Sequence, residues 1–223
     1  MKSGSLVQGV VFDLDGTLVD NIAFHFEAFR VLAERHGLAA MDAVTFQSFN
    51  GLKNEDIFPR FVGRELTRAE IAAFSDEKEA TYRALYAPKL APHRGASELL
   101  DRLREAGVKL AVASSAPPAN RSMVLDGLAW TARFDAVVAS EGLRGKPAPD
   151  IFLAAAERIG VAPAECVAFE DAANGVQAAA AAGMIVVGIT TNVSAADLVA
   201  AGARFTAADF LSLPPELLAM LPV

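Results

Sequence analysis

Two hydrophobic rhythms alternate along this chain. Short, nearly continuous apolar runs are separated by longer stretches in which apolar residues recur every three or four positions. The runs are "LVQGVVF" (6–12), "VKLAVASS" (108–115), "FDAVVAS" (134–140), "ECVAFED" (165–171) and "MIVVGIT" (184–190). Each reads as a strand covered on both faces. "ARFTAADFLSL" (203–213) adds a last short strand and loop. The helical period is clearest over 21–36, where Ile22, Phe26, Phe29 and Ala33 share a face and Gly37 supplies a stop. Further helices are read over 96–107, 119–128, 147–160 and 172–183, three of them closed by glycine.

Strands separated by helices require crossover connections. They therefore predict an α/β fold: a Rossmann-like parallel sheet with helices on both faces. One segment breaks the alternation. From Met41 to Ala87 the chain is charge-rich and helix-like, with no β-rich run. Gly51 and Gly63 punctuate it, and Pro88, Pro92 and Gly95 end it. With the helix before it, this stretch predicts an all-α cap (20–94) inserted into a core made of 1–19 and 95–223. The tail "LSLPPELLAMLPV" reads as a short docking helix.

In an open parallel sheet the site lies beyond the carboxyl ends of the strands, and the polar residues gather at those ends here. The first strand ends in Asp13 and Asp15, followed by Gly16 and Thr17. Residues two apart in extended chain face the same way, so both carboxylates can enter one site. The second strand ends in Ser114 and Ser115, the third leads to Lys146, and the fourth ends in Glu170 and Asp171. A lone D-x-D-G is better explained by a turn closing a strand. Two acidic pairs at neighbouring strand ends repel strongly unless a cation lies among them. All-oxygen donors suit Mg²⁺ rather than zinc. A metal beside a lysine, strand-end serines and the Thr17 hydroxyl points to phosphate binding, with an aspartate as nucleophile.

Composition narrows this further. The chain has 223 residues, is 53% hydrophobic and carries a net charge of −7. No long Lys/Arg stretch stands out, so a nucleic-acid partner is not expected, whereas a cation or a small phosphorylated metabolite fits. The single cysteine, Cys166, rules out an internal disulfide and a cysteine-cluster metal site and fits a cytoplasmic location; it reads as a buried apolar residue. No signal peptide and no membrane-spanning run is read. Oligomeric state leaves no trace in the sequence.

"FDLDGT", the serine of "AVASS", the lysine of "GKPAPD" and "FEDAANG" occur in that order. With them the chain resembles the haloacid dehalogenase superfamily, in particular its phosphatase branch with a helical cap after the first strand. The resemblance covers nearly the whole chain. It implies that Asp13 attacks phosphorus and that Asp15 protonates the leaving oxygen and then activates water. It also implies that Ser114 and Lys146 hold the phosphoryl group. Mg²⁺ would be bound by the Asp13 carboxylate, the Asp15 carbonyl and Asp171, with Glu170 directly or through water. The nearest subgroup contains β-phosphoglucomutase and sugar-phosphate phosphatases. On its own, His25 reads first as a satisfied helix residue; "DNIAFHFEAF" places it at the mutase's functional histidine, and the resemblance puts a substrate-facing role on an equal footing. The chain departs from the mutase pattern at Asn50 and Asn54, where lysine and arginine are expected, and at Pro117 and Pro118. A phosphatase is therefore expected ahead of a mutase, and both ahead of a non-catalytic protein. Lys53, Arg60 and Arg64 read as surface charges of the cap, with Lys53 and Asn50 as candidate substrate contacts. Asp20 reads as a turn or N-cap residue, and Asn174 and Gly175 as the start of a helix.

Overall fold

Val10, Val11 and Phe12 are fully excluded from solvent, and the strand they form is the centre of the molecule. The computed structural model describes residues 7–222; Leu6 of the first expected strand lies outside them. The strands are β1 (Gly9–Phe12), β2 (Lys109–Ser114), β3 (Ala136–Ala139), β4 (Cys166–Glu170), β5 (Ile185–Ile189) and β6 (Phe205–Ala207). They form one six-stranded sheet in the order β3-β2-β1-β4-β5-β6. All pairings are parallel, as the alternating pattern predicts. The chain runs to one side of β1 through β2 and β3, and to the other through β4 to β6. The order therefore reverses at β1, and the crevice of such a sheet opens at that point.

Alternate residues of each strand feed two cores, as the period of two requires. Val10, Phe12, Leu110, Val112, Val167 and Phe169 pack on one face. Val11, Ala111, Ala113, Cys166 and Ala168 pack on the other. The helices α5 (Ala96–Glu105) and α6 (Pro118–Gly127) contribute to the first layer. The helices α7 (Asp150–Ile159) and α8 (Ala173–Ala181) contribute to the second. Burial, with Glu165 nearby, pushes the Cys166 thiol up to about 11, so it stays an inert apolar residue.

Between β1 and α5 lie four helices: α1 (Ile22–His36), α2 (Ala43–Phe49), α3 (Asn54–Val62) and α4 (Arg68–Tyr86). They share a core of their own around Phe29, Phe46, Phe49 and Phe58. α1 stops at Gly37, which is left-handed at φ 61°. Asp42 caps α2, and a Thr67–Glu70 capping box opens α4.

Three local expectations change. Asp20 does not cap α1; Asn21 holds that position with its amide turned elsewhere. Asn174 does not cap α8; its side chain reaches the carbonyl of Asn50 at 3.0 Å. The pattern assigns nothing to 191–202, where α9 (Ala195–Ala201) forms; it buries one residue, Leu198, and has no apolar stripe to detect. The tail forms α10 (Pro215–Leu218), docked through the fully buried Leu217.

Candidate active site

The cavity at the β1 switch point is lined by Asp13, Asp15, Ser114, Glu170 and Asp171 from the sheet edge. His25, Asn50 and Lys78 line it from the helical insert. It measures about 90 Å³.

Asp13 follows β1 directly, and its amide bonds the Phe169 carbonyl, extending the sheet by one residue. Lys146 is buried, and its ammonium donates to Asp13 Oδ1 at 2.6 Å and to Glu170 Oε1 at 2.7 Å. The second oxygen of Glu170 accepts from the Ala172 amide at 2.8 Å. Gly175 packs so closely that a Cβ there would lie 1.6 Å from Glu170 Oε1. No larger residue fits, which explains the glycine in that loop.

Burial, outweighing the attraction of Lys146 and assisted by Glu170, pushes the Asp13 carboxyl up to about 7. Burial and then the charges of Glu170 and Asp13 push Asp171 well above the carboxylate range. Burial opposes the Lys146 charge, but Asp13 and Glu170 outweigh it and hold its pKa above the usual lysine value. The cluster thus has more negative groups than one ammonium can balance.

Among the described residues, no three carboxylate or imidazole groups already converge as a metal cage. The donor chemistry nonetheless suits a hard cation. Asp171 Oδ2 is buried without a partner, and only one oxygen of Asp13 is engaged by Lys146. Both groups have oxygens to give.

Asp15 is held from the other side. Asn21 Nδ2 donates to Asp15 Oδ1 and, at 2.6 Å, to the Tyr82 hydroxyl; Asn21 Oδ1 accepts from the Gly16 amide. His25 stacks on Tyr82 with centroids 3.8 Å apart. Lys78 donates to His25 Nδ1 at 2.7 Å. His25 Nε2 is buried without a hydrogen-bond partner and lies 3.8 Å from Asp15 Oδ1, too long for a hydrogen bond. Burial opposes ionisation of Asp15, but His25 and Asn21 outweigh it and hold the carboxyl below its usual value.

Two of the expected phosphate-contact hydroxyls have protein partners, although Ser115 lines the cavity. The Thr17 hydroxyl donates to Asp171 Oδ1 at 3.2 Å, and the Ser115 hydroxyl to the Gly51 carbonyl at 3.2 Å. Neither hydroxyl is free for a phosphate in this state. Ser114 Oγ accepts from the Ala116 amide at 3.1 Å at the cavity edge. Lys53 is not a free surface charge and does not line this cavity. It bonds the Leu143 carbonyl and ties insert to core. Arg60 and Arg64 are exposed, and Arg64 pairs with Glu70.

The sequence reading missed Asn21, Lys78 and Glu79. Lys78 sits in "SDEKEA", which looks like a solvated helix face. The signal was its spacing: Lys78, Tyr82 and Tyr86 recur every four residues, and all three are buried.

A model of haloacid dehalogenase-like hydrolases matches residues 7–183. The chain is 35% identical over 192 residues to β-phosphoglucomutase of Bacillus subtilis, covering 82% of this chain and 83% of that one. It is also 35% identical over 181 residues to the fructose-1-phosphate phosphatase YqaB of Escherichia coli, covering 79% and 93%. Among solved structures it resembles a CbbY variant from Rhodobacter sphaeroides in complex with xylulose 1,5-bisphosphate. That likeness has a TM-score of 0.80 at 26% identity and covers 97% of this chain and all of that one. A parallel sheet with its order reversed at β1, acidic strand ends around a buried lysine, and these matches agree: the chain belongs to the haloacid dehalogenase-like hydrolases.

Proposed function

We propose that the protein is a Mg²⁺-dependent phosphatase. It would hydrolyse a small phosphorylated metabolite of the sugar-phosphate or phosphoglycolate type through an aspartyl-phosphate on Asp13. The observation that carries this reading is the position of Asp13: at the centre of the sheet edge, nearly buried, and within 2.6 Å of a buried lysine. The relatives named for sugar phosphates support the substrate class.

Asp13 and Asp171, with the Asp15 carbonyl, would hold Mg²⁺. Both oxygens of Glu170 are engaged, so Glu170 would act through water. The cation supplies charge neutralisation between anionic nucleophile and anionic phosphoryl group. Lys146 and Ser114 hold the transferring phosphoryl oxygens. Asp13 attacks phosphorus, and the ester oxygen leaves with a proton from Asp15. Asp15 then takes a proton from the water that attacks the aspartyl-phosphate, releasing inorganic phosphate and restoring Asp13. Asn21 fixes Asp15 for both steps. A dianionic ester nearby raises its proton affinity for the first.

Among the described residues no helix is long and apolar enough to cross a membrane. We place the enzyme in the cytoplasm, where such metabolites occur. A panel of phosphorylated sugars and small acids, assayed for phosphate release with and without Mg²⁺, tests the reading. No release from any of them, or from an aryl phosphate, would refute it.

A further inference from the structure

The insert's share of the cavity wall is organised around a carboxylate. Glu79 is 4% exposed. Its Oε1 accepts from Lys78 Nζ at 3.0 Å and from Asn54 Nδ2 at 3.0 Å. Its Oε2 accepts from Asn120 Nδ2 at 2.7 Å. Asn120 belongs to α6, so this last bond joins insert to core, and Arg83 holds the other end of the Asn120 amide at 2.9 Å. Lys78, Asn54 and Asn120 all line the catalytic cavity. Burial opposes the charge on Glu79, but Lys78, His25 and the two amides outweigh it and bring its pKa to about 2. Glu79 is therefore a carboxylate at any working pH.

This arrangement decides what the cavity offers a substrate. Lys78 is the cation closest to His25, and a buried, unbalanced ammonium would call for an anion. Glu79 already supplies it. The Asn54 amide nitrogen is engaged by Ser75 and Glu79. Asn50 is different: its side-chain amide is buried, lines the cavity and has no partner for Nδ2. A buried donor without a partner is costly unless a ligand completes it. A neutral amide is completed well by a hydroxyl.

We propose that Glu79 is a positioning residue that sets substrate choice. By cancelling the charge of Lys78 it leaves the insert's wall neutral. The enzyme then takes monophosphates whose leaving group is an uncharged polyol reaching Asn50. It turns away esters that bear a second phosphate, the kind of ligand held in the CbbY structure. This inference rests on the phosphatase reading above and deepens it.

The test compares a hexose monophosphate with the matching hexose bisphosphate, with Mg²⁺, by kcat/KM and by calorimetric affinity. The wild type should favour the monophosphate about tenfold or more. Glu79→Gln should shift the ratio towards the bisphosphate by about tenfold or more, because it uncovers the Lys78 ammonium. Adding Lys78→Gln should return the ratio to its starting side, which a purely structural defect would not do. Thermal melts establish that each variant is folded. A wild type that prefers the bisphosphate overturns the proposal even if the variants do not fold. So does a folded Glu79→Gln with an unchanged ratio. Failure of the wild type to hydrolyse an aryl phosphate sinks the phosphatase reading instead, and the calorimetric ratio still decides the role of Glu79.

Discussion

Lys146 Nζ lies 2.6 Å from Asp13 Oδ1, and neither side chain is more than a tenth or so exposed. A surface pair of this kind contributes little, whereas a buried one is severely disturbed when a partner is removed. The same lysine also holds Glu170. Lys146→Met leaves two buried carboxylates without their cation and is expected to destabilise the fold by about 3–5 kcal/mol. Urea unfolding measures this. A loss below ~1 kcal/mol would show that water reaches the cluster freely.

Asp13→Asn keeps the shape and removes the attacking charge. Turnover is expected to fall by at least ~10³-fold, the scale seen when a member of a catalytic unit is lost. Stopped assays with an aryl phosphate are sufficient. Near-normal hydrolysis would sink the aspartyl-phosphate mechanism.

The raised carboxyls predict a linkage between protons and metal. Asp13 is pushed to about 7 and Asp171 upward, so without metal both favour the protonated form. Their contribution to stability is then greatest below their ordinary value of 3.8 and is lost as pH rises through 7. A cation that takes the ionised form must displace protons at low pH and need not at high pH. Mg²⁺ is therefore expected to raise Tm more at pH 8 than at pH 6. Excess EDTA should abolish activity, and Asp171→Ala should weaken Mg²⁺ binding. Calcium, with longer and looser coordination, should fail to substitute. Equal stabilisation by Mg²⁺ at both pH values would show that these carboxyls do not bind it.

Much of this was written in the sequence because strand ends and strand periods are local. Asp13 and Asp15 follow an apolar run, Glu170 and Asp171 follow another, and a parallel sheet brings such ends together. What the sequence hid was which partner each side chain would choose. Thr17 and Ser115 have the right chemistry for phosphate, but Asp171 and the Gly51 carbonyl claim their hydroxyls. Lys53 looked like a free cation and is a tie to Leu143. Lys78 looked solvated and is buried, because the face of α4 carrying Tyr82 and Tyr86 turns inward. These outcomes depend on long-range packing of insert against core, which no local pattern encodes.

His25 and Asn21 hold the Asp15 carboxyl down, so His25→Ala should raise it towards its ordinary value of 3.8. In the proposed mechanism Asp15 must be ionised to accept a proton from water. The acid limb of the kcat–pH profile should therefore move to higher pH in this variant. A fall in kcat with an unmoved acid limb would mean that His25 only packs against Tyr82.

The last prediction separates hydrolysis from transfer to a second sugar hydroxyl. A mutase must hold its bisphosphate intermediate at both ends, and the far phosphate calls for a strong cation, best a bidentate arginine. Here the two positions where the mutase pattern has lysine and arginine are Asn50 and Asn54. Asn54 is tied to Ser75 and Glu79, and Lys53, one residue away, is tied to Leu143. The cation that does line the cavity, Lys78, is paired with Glu79 and faces His25. Water is therefore expected to be the usual acceptor. The enzyme is incubated with Mg²⁺, β-glucose 1-phosphate and a trace of glucose 1,6-bisphosphate, and both products are followed. Inorganic phosphate should appear, from this sugar or from a better substrate, with little glucose 6-phosphate. Rapid conversion to glucose 6-phosphate without phosphate release would mean that Lys78 grips the far phosphate despite Glu79, and that the family's mutase activity is the one this chain performs.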